Sequence, residues 1–310
     1  LDETLTPGNI TIKDSSTVGV APLDPVRVDA RGLCVERSGR DLMEITFDGS
    51  AGEYLVTQLS KLTTDLFASG VKEMAIQRRP DTRVWMVLNN GICVCCLYEP
   101  AQEVIAFTPI ETNGLFESVA VLPAVDQDRV YFVVNRTVGS TLRLVEKMAR
   151  DDEAKPGTRC CVMDAFVRGT NSPASTTIAL GSTMANRTVV VWADGAPLET
   201  SAGVPATFTA NGSGNITVPS AVTAWVAGLA YRARYKSARL AFGADGAAPI
   251  LQRQAVVRSG LLVTNFVRSG IKIGPEWAKM FPMPSRVDGK TPAAMVVDEI
   301  IDEPLSAFGG

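Results

Sequence analysis

The sequence predicts a mainly β protein, with β-propeller-like blades, a small inserted β-sandwich-like domain and few helices. Three observations lead there. First, residues 74–146 read as two consecutive strand–turn–strand units. One is Arg83-Val84-Trp85-Met86-Val87-Leu88, a turn at Asn89-Asn90-Gly91, and Ile92-Cys93-Val94-Cys95-Cys96-Leu97-Tyr98. The other is Arg129-Val130-Tyr131-Phe132-Val133-Val134, a polar turn over 137–140, and Thr141-Leu142-Arg143-Leu144-Val145. The Asn-Gly pair suits the positive φ angles of a two-residue hairpin turn. Second, Val84 and Val130 are 46 residues apart, close to the roughly 40–45 of a propeller blade. An acidic turn precedes each unit, Pro80-Asp81 in one and Asp126-Gln127-Asp128 in the other. A weaker copy lies upstream in Gly32-Leu33-Cys34-Val35-Glu36, Ser38-Gly39 and Asp41-Leu42-Met43-Glu44-Ile45. Third, the composition beyond about residue 167 shifts to Ser, Thr, Ala and Gly. Short alternating strands there are separated by Asp194-Gly195 and Asn211-Gly212, the pattern of a small sandwich or barrel.

Taken in order, residues 1–28 read as an extended surface segment. Thr6-Pro7-Gly8-Asn9 and Ala21-Pro22-Leu23-Asp24-Pro25 are turn-rich, and Ile10 and Ile12 alternate with polar neighbours as in a short strand. The blades are expected over 29–166. Within them Tyr54, Leu55, Leu59, Leu62 and Leu66 fall at helical spacing and Ser69-Gly70 stops the stripe, which predicts one helix. Thr63-Thr64-Asp65 lower its propensity, so it would depend on packing against a sheet. Further strands are expected at Met74-Ala75-Ile76-Gln77, Glu103-Val104-Ile105-Ala106-Phe107 and Glu117-Ser118-Val119-Ala120-Val121-Leu122, with a turn at Thr112-Asn113-Gly114. Residues 148–157 form a charged connection in which Asp151-Asp152-Glu153 reads as a solvated loop. The sandwich-like insert is expected over 167–222 and further propeller-like strands over 223–285. A proline-rich, acidic tail without a final strand fills 286–310.

Composition narrows the function classes. The chain has 310 residues, enough for a sizeable core, and 46% of them are hydrophobic. No apolar run has the length of a membrane-spanning helix. Leu1-Asp2-Glu3-Thr4 has neither a basic start nor an apolar core, so no signal peptide is expected. The net charge of −3, from 30 basic and 33 acidic residues, argues against a globally basic nucleic-acid binder and leaves room for a local patch. Histidine is absent. That removes the commonest general base, the Ser-His-Asp arrangement and the usual metal ligand.

The six cysteines are Cys34, Cys93, Cys95, Cys96, Cys160 and Cys161. Cys93 and Cys95 should share one face of a strand and Cys96 the other. Their crowding suits buried, reduced side chains, and the spacing is poor for a metal site. No metal or cofactor is expected. The tryptophans Trp85, Trp192, Trp225 and Trp277 fall one per sheet region, as core or interface anchors would. No pair among the scattered carboxylates stands out, so no catalytic residue is assigned.

The densest basic-aromatic cluster is Tyr231-Arg232-Ala233-Arg234-Tyr235-Lys236-Ser237-Ala238-Arg239. Alternating basic and aromatic side chains can track a phosphate backbone. A strand with its aromatic face inside and its basic face outside gives the same string, and is the more ordinary explanation. Asn211-Gly212-Ser213-Gly214-Asn215 lacks the Lys and Ser/Thr of a phosphate-binding loop and is a turn.

Several stretches carry a family resemblance. They are Ile76-Gln77-Arg78-Arg79-Pro80-Asp81-Thr82-Arg83-Val84-Trp85 with Asn90-Gly91 and Leu97-Tyr98, and Thr112-Asn113-Gly114-Leu115-Phe116-Glu117-Ser118-Val119-Ala120-Val121. Asp194-Gly195, Tyr235-Lys236-Ser237-Ala238-Arg239-Leu240 and Arg258-Ser259-Gly260-Leu261-Leu262 complete the set. In this order and spacing, over most of residues 1–285, the chain resembles the tail nozzle proteins of short-tailed bacteriophages, also called tail tubular protein B or stabilisation proteins. Members of that family are generally longer, so the resemblance implies the C-terminal portion of such a chain. It implies a virion protein made in the host cytoplasm and assembled as a hexameric ring below the portal and adaptor, with tail fibres as further partners. Propeller-like domains would surround a channel through which DNA passes in transient, sequence-independent contact, and no catalysis is implied. The channel candidates are Arg232, Arg234 and Lys236, on the cluster argument. A monomeric propeller-type binding module or adhesin, reading a glycan or protein with its loops, is the alternative. A carboxylate-based glycosidase ranks behind both.

Overall fold

Three antiparallel meanders follow one another in the first half of the chain, each built from short alternating strands and Gly- or Asp-containing turns. The computed structural model describes residues 6, 8, 16–138, 140–201, 204–237, 258–263, 266–267, 271–282, 295–296 and 299–304. The chain is mainly β, and the described residues contain two short 3-10 turns and no α-helix. It divides into two compact units, Leu1–Met148 and Ala149–Gly310.

In the first unit, β1 (Val26–Val28), β2 (Arg31–Val35), β3 (Leu42–Asp48) and β4 (Glu53–Gln58) form a four-stranded sheet in chain order. A second four-stranded sheet comprises β5 (Val71–Gln77), β6 (Arg83–Leu88), β7 (Cys93–Glu99) and β8 (Val104–Ile110). A third has three strands, β9 (Leu115–Leu122), β10 (Arg129–Val138) and β11 (Ser140–Lys147). The sequence repeat is this plan. The Arg31, Arg83 and Arg129 units are the second strands of successive sheets.

The sheets stack face to face, and period-2 alternation decides which side chain goes where. On β6, Val84, Met86 and Leu88 join Leu33, Val35 and Leu42 of the first sheet in one core. Trp85 and Val87, pointing the other way, join Phe116, Val130, Phe132 and Val134 of the third. Both faces of β6 are therefore covered, which is why its sequence is a nearly unbroken apolar run. Cys96 faces the first core, while Cys93 and Cys95 face the second, as the alternation predicts. All six cysteines are free thiols.

Two carboxylates buried between sheets, Glu44 and Asp128, are paired. Tyr98 donates its hydroxyl proton to Glu44 Oε2, and Arg31 and Thr46 each donate to Glu44 Oε1 at 2.7 Å. Burial alone would raise the Glu44 carboxyl. The hydrogen bonds from Tyr98 and Thr46 and the Arg31 charge overcome it and hold the group below the usual carboxylate range. At the turn end of the stack, Asp128 accepts from the backbone N–H groups of Arg78 (2.7 Å), Arg79 (3.1 Å) and Ala124 (3.1 Å). This ties the β5–β6 turn to the β9–β10 turn, so the acidic turn that marks the repeat has a structural purpose.

Four expectations are corrected. Residues 54–66 form no helix: Tyr54 and Leu55 belong to β4, and i to i+3 turns continue to Gly70. The open edge of β3 offers backbone pairing to this weak helix former, and Leu62, a member of the stripe, is 96% exposed. The turn after β6 is longer than two residues, with Leu88 N–H on Ile92 O and positive φ at Gly91 alone among residues 89–91. The acidic loop is only partly solvated, since Glu153 pairs with Arg168 at 2.7 Å. The tail also holds strands, described next.

In the second unit, two long strands dominate: β12 (Asp164–Ala179) pairs with β18 (Asn215–Leu229). β18 pairs in turn with β13 (Thr188–Ala193), which carries β14 (Ala196–Pro197) and β17 (Thr207–Thr209). This single five-stranded sheet, with the hairpin β15 (Glu199–Ser201) and β16 (Val204–Pro205), is the region expected as the insert, and β18 runs straight through residue 222. Ile178, Val189, Val191, Ile216 and Trp225 cluster on one face, and Cys160, Cys161, Trp192 and Val226 on the other. Asp194 and Gly195 both have positive φ in the tight β13–β14 turn, as the Asp-Gly pair predicts. Gly169 is required by contact: a Cβ there would lie 2.4 Å from the Trp225 ring. Among the described residues the unit also holds three short pairs, namely β19 (Arg258–Val263) with β24 (Glu299–Pro304), β20 (Phe266–Val267) with β23 (Met295–Val296), and β21 (Lys272–Glu276) with β22 (Lys279–Pro282). The tail thus contributes β23 and β24, whose partners β20 and β19 lie far upstream in the chain, a pairing that no local pattern announces.

Two substitutions test the inter-sheet ties. Tyr98→Phe leaves the buried Glu44 carboxylate short of a donor and should cost about 1–3 kcal/mol in denaturant unfolding. Asp128 is held low because backbone hydrogen bonds and the Arg79 charge outweigh the raising effect of burial. Its contribution is complete above the unfolded-state pKa and disappears as pH falls through the lower folded value. Asp128→Asn should lower stability at neutral pH, with the gap to wild type closing under acid. A gap that stays constant with pH contradicts the charged tie.

Candidate functional site

The site candidates Arg232, Arg234 and Lys236 lie just beyond the C-terminal end of β18. Residues 230–237 carry no strand and are exposed throughout. The expected strand with buried aromatics is therefore not formed: Tyr231 is 52% and Tyr235 87% exposed. With tyrosines and cations both facing solvent, the segment presents a mixed basic-aromatic surface.

The fold adds a partner from a distant part of the chain. The Arg234 guanidinium carbon sits 5.7 Å from the centroid of the Trp277 ring, within cation–π range. Trp277 lies in the turn between β21 and β22 and is 49% exposed, unlike Trp85, Trp192 and Trp225, which are buried. It is not a core anchor. The same hairpin exposes Lys272 and Lys279, and close passage of the chain at Gly274 shapes it, since a Cβ there would meet Lys279 O at 2.0 Å. Arg234 and Trp277 thus join two stretches that both expose cations, Arg232 and Lys236 in one and Lys272 and Lys279 in the other. The signal available in the sequence was the outlying Trp between two lysines, but nothing local joins residue 234 to residue 277.

Chemically, this surface offers cations for phosphate groups and flat rings for stacking. The segment carries no strand that would seat these side chains in a groove against base edges, so it suits sequence-independent contact. Elsewhere, burial pushes the Cys93 and Cys96 thiols up to about 12 and Cys95 up to about 11, which keeps them protonated and poor nucleophiles. Among the described residues no group of three or more Cys, Asp or Glu side chains is placed to hold a metal ion. No helix among them is long and apolar enough to cross a membrane. No protein-family model and no curated protein matches the chain.

Proposed function

We propose that this chain is a structural component of a phage short tail, part of a nozzle ring around the DNA channel below the portal and adaptor. The order and spacing of the stretches resembling tail nozzle proteins support the assignment, and the blade-like sheets suit it. The observation that carries the DNA contact is the exposed basic-aromatic cluster around Arg232, Arg234, Lys236 and Trp277, on a chain whose net charge is −3. A channel wall needs such a surface: enough positive charge to meet phosphates, through contacts to the backbone that let a duplex move past.

Fluorescence anisotropy with a mixed-sequence duplex, titrated with salt, tests this. Binding should be independent of sequence, and its log–log salt slope should fall by about 0.9 for each phosphate-binding cation removed. Replacing Arg232, Arg234 and Lys236 together with Ala should weaken binding and flatten that slope. Absence of salt-dependent binding, or a triple variant that binds like wild type, removes the cluster from the channel. Selective retention on a glycan or protein surface without DNA binding favours the monomeric binding module.

A further inference from the structure

Stacking in the first unit has a direction. The first sheet presents Leu33 and Val35 to the second, and the second presents Trp85 and Val87 to the third. The same face of each sheet therefore meets the opposite face of the next. A backbone bond repeats at both junctions: Val71 N–H, opening β5, donates to Gly39 O at 2.7 Å, and Phe116 N–H, in β9, donates to Gly91 O at 2.9 Å. Gly39 and Gly91 are equivalent turn residues with φ of 79° and 80°. The two junctions are copies of one interface.

At each end of the stack one half of that interface meets no further sheet among the described residues. On the first sheet, Cys34, Met43, Ile45, Tyr54 and Val56 line an apolar cavity of about 320 Å³, closed on one side by the strap at Val18 and Val20. Beside it Phe47 and Tyr54 stack edge to face at 5.2 Å, each 52% exposed. On the third sheet, Leu122 and Val145 are 56% and 75% exposed. Tyr131, half-buried on that face, stands at the repeat position of Trp85, the ring that packs against Phe132 across the existing junction at 5.7 Å. Lys147 and the Glu117–Asn135–Arg143 network share the third-sheet face, so its apolar part is a patch rimmed by polar groups, the form that marks an interaction surface.

We infer that the third sheet of one copy docks on the first sheet of a second copy. The contact continues the internal stacking and sets Tyr131 against the cavity lined by Met43, Ile45 and Tyr54. It is head-to-tail, so each copy uses two different surfaces and the assembly propagates until it closes. This rests on the ring reading above and names its interface.

The test uses the whole chain and two variants at exposed positions. Phe47→Asp with Tyr54→Asp blocks the first sheet, and Leu122→Asp with Val145→Asp blocks the third. Measured by light scattering well above micromolar concentration, wild type should form assemblies larger than a dimer. Each variant alone should stay monomeric, and an equimolar mixture should give a dimer and nothing larger, because one free half of each kind remains. Circular dichroism checks folding, and if an Asp pair unfolds the chain, Tyr54→Lys and Val145→Lys repeat the test singly. Wild-type assembly that survives in both variants overturns this interface and leaves the ring standing. A third-sheet variant that dimerises by itself overturns the head-to-tail arrangement. A monomeric wild type overturns both.

Discussion

The first unit depends on the burial of β6 from both sides. Arg83–Leu88 sends Val84, Met86 and Leu88 into one core and Trp85 and Val87 into another, so a single six-residue strand belongs to two interfaces at once. No polar residue interrupts the strand from Val84 to Leu88, and truncating a side chain there opens a cavity that neither neighbouring sheet can close without moving, at about 2–5 kcal/mol for a large aliphatic residue. The polar ties are second to this packing. Glu44 with Tyr98 on one side and Asp128 with the backbone of Arg78 and Arg79 on the other hold the sheets in register. An unpaired carboxylate at either place would be costly enough to exclude alternative stackings.

That constraint links the fold to the proposed assembly. The outer two sheets of the stack each have one face covered by a sheet and the other covered only in part, on the first sheet by the strap at Val18 and Val20, and under the proposed assembly a second copy takes the remainder. The second unit solves the same problem within itself, covering one sheet with two apolar clusters. It leaves its basic-aromatic segment in solvent, where water stabilises the charge. Under the proposed function, assembly and DNA contact would fall on different units and draw on different physics, apolar burial in one and counterion release in the other.

Much of the first unit was legible in the sequence because its information is local. Alternation through Cys93, Cys95 and Cys96 assigns faces directly, and the 46-residue offset aligns β6 with β10; in the second unit Asp194-Gly195 dictates its turn for the same reason. Failures arise where the deciding interaction is distant. Tyr54, Leu55, Leu59, Leu62 and Leu66 satisfy a helical period, yet the edge of β3 claims the first of them. Glu299–Pro304 looks like an acidic tail until Arg258–Val263 is there to pair with it. Of the site, the cations Arg232, Arg234 and Lys236 were visible as a string, whereas Trp277 enters only through its long-range approach to Arg234.

Electron microscopy of the wild-type particle tests the account most directly. Closed rings with rotational symmetry, six-fold by the family resemblance, and a central channel that admits a DNA duplex are expected. Single globular particles without a channel, at concentrations well above micromolar, would contradict it.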